Sequence, residues 1–145
     1  MLRNMTAMAA LAAAAASMPP GAGAHEAHAE KAAGTGKEAR SVLQRLPLPD
    51  APGKHGVLLT VTYAPGQASD PHRHPGSVFA YVLEGEVVSQ LADGKPVTYW
   101  QGDSWYETPL VAHAVSRNAS ATRPARLLVY MMLGEGDPPV LPLDK

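Results

Sequence analysis

The stretch Gly66-Gln67-Ala68-Ser69-Asp70-Pro71-His72-Arg73-His74-Pro75-Gly76 decides how the rest of the chain is read. Two histidines stand at i and i+2. In an extended strand both imidazoles point to one face. A proline precedes the pair and a Pro-Gly turn follows it. Nothing else in the sequence concentrates metal-capable side chains in this way. A third histidine, His113, comes about forty residues later, close to Pro109.

The segments on either side read as short strands. Ser41 to Pro49 is an extended edge in which proline is tolerated, and structure is expected to begin near Ser41. Gly56 to Tyr63 is rich in β-branched and aromatic residues. Val78 to Leu83 is a continuous apolar run of strand length, expected to be central. Val87 to Leu91 and Val97 to Trp100 flank Asp93-Gly94, a strong hairpin signal. Ser104 to Glu107, Ala112 to Ser116 and Arg126 to Leu133 complete about eight strands, with Arg117 to Ser120 read as a loop. No segment after the first two dozen residues has a helical period. The pattern is that of a β-sandwich or barrel.

The amino terminus has a different character. Met1-Leu2-Arg3 is a short positive start, Met5 to Met18 is Ala-rich and apolar, and Ala22-Gly23-Ala24 has the form of a cleavage site. This is the pattern of a secretory signal peptide, with cleavage predicted after Ala24 and the periplasm, or secretion, as the address. His25 to Arg40 holds almost no large apolar residue and is expected to be a flexible arm. His25 and His28 lie in it, as solvated polar residues. The domain proper is then 41–145, ending in a Pro-rich tail.

Composition narrows the function. The 145 residues allow one domain, and there is no cysteine, so thiol chemistry and disulfides are excluded. The net charge of −1 shows no basic stripe for nucleic acid. No second apolar span points to a membrane once the signal is cleaved. A small-molecule or metal site is what remains. Two histidines from alternate positions and a third from a neighbouring strand make a facial donor set for a divalent transition ion, whether iron, manganese, nickel, copper or zinc. Such a set leaves coordination positions open.

These residues resemble the cupin superfamily, in its small single-domain, type-2-like form. Gly66, His72, His74 and Gly85 match the first motif, G-x5-H-x-H-x(3,4)-E-x6-G. Gly102, Asp103, Pro109, His113 and Asn118 resemble the second, G-x5-P-x-G-x2-H-x3-N. The resemblance spans about Val57 to Leu133. It implies an all-β double-stranded β-helix, or jelly-roll, with a metal in the barrel mouth held by His72, His74 and His113. Small cupins commonly dimerise, so a homodimer is also implied, with Val42 to Pro49 as an edge strand to exchange.

The sequence departs from the family pattern in three places. The family's fourth ligand, a glutamate, aligns with Val78 or, at the longer spacing, Phe79. Thr108 replaces a proline and Leu110 a glycine. The asparagine comes one position late. A three-histidine set occurs among dioxygenase-like cupins. Glu107 is the carboxylate best placed to act instead, as an extra ligand, an acid/base or an orienting partner of a ligand histidine. Tyr81, Trp105 and Tyr106 are candidates for a pocket lining, with core packing expected for at least two of them. Two functions follow. One is a metal-dependent oxygenase- or isomerase-type enzyme with Glu107 as its catalytic carboxylate. The other is a non-catalytic periplasmic module that binds or senses a small molecule. A Glu107 turned inward beside the histidines favours the first; a cavity plugged by Phe79, Trp105 and Tyr106 favours the second.

Overall fold

The computed structural model describes residues 37–143; the segment read as a signal peptide, the expected cleavage site after Ala24, His25 and His28 lie outside them. Ten strands follow in order: β1 (Ala39–Pro47), β2 (Lys54–Tyr63), β3 (His72–Arg73), β4 (Ser77–Glu84), β5 (Glu86–Leu91), β6 (Val97–Trp100), β7 (Ser104–Glu107), β8 (His113–Asn118), β9 (Ala125–Gly134) and β10 (Leu141–Pro142). They form two five-stranded antiparallel sheets. One has the order β1-β2-β9-β4-β7 and the other β10-β3-β8-β5-β6. The described residues contain no helix. The fold is the all-β jelly-roll.

Strict alternation makes the larger sheet. In β2, Val57, Leu59, Val61 and Tyr63 are buried; in β9, Leu127, Val129, Met131 and Leu133; in β4, Val78, Ala80 and Val82. All face the second sheet. Burying each such side chain contributes roughly 1.5–3 kcal/mol, so this layer is the main source of stability. The intervening residues face solvent. Phe79, Tyr81 and Tyr106 are therefore exposed on the outer face, and only Trp105 of the candidate lining is buried. Tyr81 and Tyr106 neither line the cavity between the sheets nor fill the core; the period of two turns them outward, where with Phe79 and Tyr130 they line a depression on the outer face.

Three other boundaries differ from the sequence reading. β1 begins at Ala39, and Glu38, assigned to the flexible arm, is buried. β8 runs on to Asn118, so Arg117-Asn118 is strand rather than loop. Asn118 is fully buried, donates to the carbonyls of Ala64 and Arg123 and accepts from the Ser120 amide. A side chain with that many local partners looks like a turn residue in sequence. Finally, the Pro-rich tail contributes β10, which pairs with the histidine strand: Leu141 with Arg73 and Pro142 with His72.

Two glycines fix how the strands enter the site. Gly85, between β4 and β5, has φ +74°, and a Cβ there would meet the Pro124 carbonyl at 2.6 Å. Gly76, between His74 and β4, leaves no room at all: a Cβ would fall 1.8 Å from the Met132 carbonyl oxygen.

Candidate metal centre

His72 opens β3 and pairs directly with His113 of β8. His74 follows two residues later. All three are buried, with ligand-capable nitrogens within 4.8 Å of one another. The sequence expectation that a neighbouring strand brings the third imidazole to the pair is what the register delivers.

Hydrogen bonds fix two of the rings. His72 Nδ1 lies 2.7 Å from the Asp70 carbonyl oxygen and His74 Nδ1 lies 2.6 Å from that of Pro139. A carbonyl only accepts, so both Nδ1 atoms carry the proton and both Nε2 atoms present a lone pair. Those two Nε2 atoms are 3.2 Å apart. Desolvation lowers the pKa of His72 to about 4 and also lowers that of His74, so both rings are neutral at pH 7. Neither then has a proton to place between the facing lone pairs. A cation is what such an arrangement accommodates.

Glu107 ends β7 and is buried. Its register partner on β4 is Val78, the residue at the position of the family glutamate. Side chains of paired residues on one face lie about 5 Å apart at Cβ. The adjacent strand thus carries a carboxylate directly beside the position where the family has one on β4. Trp105 donates its indole N–H to Glu107 Oε1 at 2.9 Å. The other oxygen, Oε2, lies 3.2 Å from His113 Nδ1 and 3.5 Å from His74 Nε2. Neither approach has hydrogen-bond alignment, so Glu107 Oε2 and His113 Nδ1 are both buried and unsatisfied. Burial pushes the Glu107 carboxyl up; His113, His74 and Trp105 outweigh it and hold it below the ordinary carboxylate value. His113 is oriented from its far side, where Nε2 meets Ser89 Oγ at 2.9 Å.

The donor chemistry fits a divalent transition ion. Donors about 2.1 Å from one ion stand roughly 3.0–3.4 Å apart for octahedral or tetrahedral placement. The His72–His74 and His113–Glu107 separations of 3.2 Å fall in that range, His74–Glu107 at 3.5 Å lies just outside it, and the three histidine donors, which spread over as much as 4.8 Å, must draw in to share one ion. The two orphaned atoms supply the remaining evidence, since buried polar atoms without partners are rare.

The centre opens into a cavity of about 440 Å³ between the sheets. Its walls are the apolar residues of β2, β4 and β9, including Met131, whose row also carries Val78 and Glu107. Phe79 and Tyr106 do not plug it. Gln67 Oε1 accepts from the Ala64 amide, and the Asp70 carboxylate pairs with Lys37 while its backbone carbonyl meets His72. The residues missed in sequence are Pro139 and Ser89, which orient ligand rings through a carbonyl and a hydroxyl. Neither has a sequence signal.

The sequence matches the model of the cupin domain over residues 59–131, just over half of the chain. The chain belongs to the cupin family. Solved cupin-like structures share its fold. One, an uncharacterized conserved protein with a double-stranded β-helix domain from Klebsiella pneumoniae subsp. pneumoniae MGH 78578, is 21% identical with a TM-score of 0.60. The match covers 79% of this chain and 91% of that one. The DMSP lyase DddQ from Ruegeria pomeroyi DSS-3 is 19% identical, TM-score 0.58, over 73% of this chain and 51% of that one. The polyketide cyclase RemF from Streptomyces resistomycificus is 22% identical, TM-score 0.54, over 75% and 72%. No curated protein matches this cupin.

Proposed function

We propose that this cupin is an exported metal-dependent enzyme acting on a small organic molecule held in the cavity, with His72, His74 and His113 as ligands and Glu107 as the carboxylate of the centre. The observation that carries the reading is Glu107 Oε2 and His113 Nδ1, buried 3.2 Å apart without hydrogen-bond alignment, beside two facing imidazole lone pairs at the cavity wall. Of the roles open to Glu107, its spacing from two ligand nitrogens favours that of a fourth donor. A divalent ion bound there supplies a Lewis acid for a substrate oxygen. The protein does the rest. Pro139 and Asp70 hold two imidazoles in the donor tautomer. Trp105 pins one carboxylate oxygen and leaves the other toward the site. The apolar walls exclude water. With Oε1 held by Trp105, Glu107 Oε2, ionised at neutral pH, would serve a bound substrate as base only when it is not ligating the ion. This favours proton-shift chemistry next to a polarised carbonyl, that is, isomerisation or elimination. That two fold neighbours are a lyase and a cyclase accords with it at the level of fold alone.

The test has two parts. Metal analysis of protein purified without chelators is expected to find about one equivalent of a first-row ion, absent from the His72→Ala/His74→Ala double variant. Incubation in D₂O with a panel of 2-oxo and 3-oxo acids is expected to show metal-dependent exchange of the adjacent protons by NMR. No metal in the wild type, even after reconstitution, sinks the reading. Metal without exchange on any acid returns the protein to the binding-module reading.

Export rests on the leader at residues 1–24; N-terminal sequencing of periplasmic protein is expected to begin at His25. Self-association is part of the same proposal. β1 is the edge of its sheet and exposes Val42, Leu43 and Leu46. A monomeric mass by light scattering at micromolar concentration would remove it.

A further inference from the structure

Among the described residues, a third unsatisfied buried atom faces the same cavity: Glu38 Oε2. It is not part of the metal centre. Glu38 is 6% exposed and immediately precedes β1. Its Oε1 accepts from the Arg40 guanidinium. Glu38, Arg40 and Val42 alternate into the cavity along the edge strand.

Register places Ala39, the neighbour of Glu38, at the other end of β2 from the Glu107 row, with the Arg40 head reaching back far enough to act on His74. Arg45, Val57, Met131, Val78 and Glu107 form one row across the sheet. Ala39 pairs with Thr62, five residues further along β2 than Val57, which is about 17 Å of strand. Between the two ends the wall is Leu59, Val61, Leu127 and Val129. Near Glu38, the Tyr63 hydroxyl sits between Ser69 Oγ and Ser116 Oγ at 2.8 Å each, so these three groups satisfy one another. Glu38 Oε2 has no such partner. A carboxylate oxygen buried without a donor costs free energy, and Glu38 is a lining residue of the cavity. Because Arg40 already balances the Glu38 charge, the fitting complement is a neutral donor rather than a second cation.

We propose that Glu38 Oε2 is a ligand-binding acceptor that takes a hydroxyl group, so that the substrate is an elongated molecule with an oxygen ligand for the ion at one end, an apolar middle and a hydroxyl at the other. The inference rests on the metal-centre reading for the first of these ends and on the cavity alone for the last. Arg40 acts on Glu38, as a positioning residue.

The probes are straight-chain carboxylic acids of four to ten carbons and their ω-hydroxy counterparts, titrated calorimetrically into zinc-loaded protein. At the chain length that spans the cavity, the ω-hydroxy acid is expected to bind about tenfold more tightly than the plain acid, the gain of one hydrogen bond to a charged acceptor. In Glu38→Met the acceptor is removed and no amide is left to donate to the hydroxyl in its place. The preference is then expected to fall within twofold, with metal content unchanged. An equal preference in wild type and Glu38→Met overturns the proposal, as does no preference at any length. So does failure of both series to bind protein that holds its metal. The readout is a ratio between two ligands of one protein. If the protein holds no metal, the metal-centre reading fails, and the ratio, measured then on the metal-free protein, still decides whether Glu38 accepts the hydroxyl.

Discussion

Val78 and Glu107 face each other across β4 and β7, and the site turns on which of them carries the carboxylate. If the two positions are equivalent, the charge can be moved back. Glu107→Val is expected to lower metal affinity on the order of 100-fold, beyond the usual cost of losing an orienting partner. Val78→Glu/Glu107→Val is expected to recover most of that loss, read as metal retained against a chelator series. No recovery would mean that the register pair is not interchangeable and that Trp105, which fixes Glu107, is required. A second residue departs from its family's habit. Leu110 stands where the second motif has glycine, and it keeps the glycine conformation, with φ +65°. Its amide donates to the His74 carbonyl at 2.8 Å, so the turn is held to the ligand strand. A left-handed leucine costs roughly 1–2 kcal/mol, and its side chain is exposed with little packing to lose. Leu110→Gly is expected to stabilise the protein by about 1 kcal/mol net of glycine's entropy, measured by urea denaturation. A drop in stability would show that the exposed leucine is packed in solution.

At the scale of elements, the short strands near the site matter more than their length suggests. β3 has two residues and β10 two, yet they pair with each other, and Pro139 just before β10 holds the His74 ring. Truncation after Asp137 removes both contacts. Metal affinity is expected to fall by about 10- to 100-fold, as for other losses of a group that orients a ligand. The main sheet, which β10 does not enter, keeps its far-ultraviolet circular dichroism. Unfolding of the truncated chain would assign the tail a stability role instead. The approach of β4 to β9 is equally constrained. Gly76→Ala forces the Met132 carbonyl away and is expected to cost about 3 kcal/mol, seen as a lower denaturation midpoint.

For the whole molecule, the buried histidines make stability depend on pH. His72 titrates at about 4 when folded against an ordinary 6.5. Between these values the unfolded chain binds the extra proton, so metal-free stability is full above pH 6.5 and falls as pH drops toward 4. The loss from His72 is about 3 kcal/mol, and His74, shifted the same way, adds to it. Denaturant midpoints of metal-free protein at pH 7.5 and 4.5 check this; a His72→Asn variant is expected to show the shallower slope. Bound metal steepens the dependence, because the ligands must be deprotonated to hold it.

The sequence by itself determined the strands of the large sheet, because alternating burial imprints a period of two on β2, β4 and β9. It also determined that His72 and His74 share a face, since His-x-His on an extended segment needs no tertiary information to do so, whereas His113 meets them through the pairing of β3 with β8. What it left open depended on neighbours distant in the chain. That Glu107 lies beside Val78 follows from β4–β7 register, and register is set by packing across sheets. That Pro139 orients His74 involves a backbone carbonyl 65 residues away, which no side-chain pattern encodes. Tyr81 and Tyr106 were aromatic enough for a pocket and turned outward once the inner face was assigned. Glu38 looked like part of a polar arm until β1 carried it beneath the second sheet. Local pattern encodes which face a residue takes; only the closed barrel decides what that face meets.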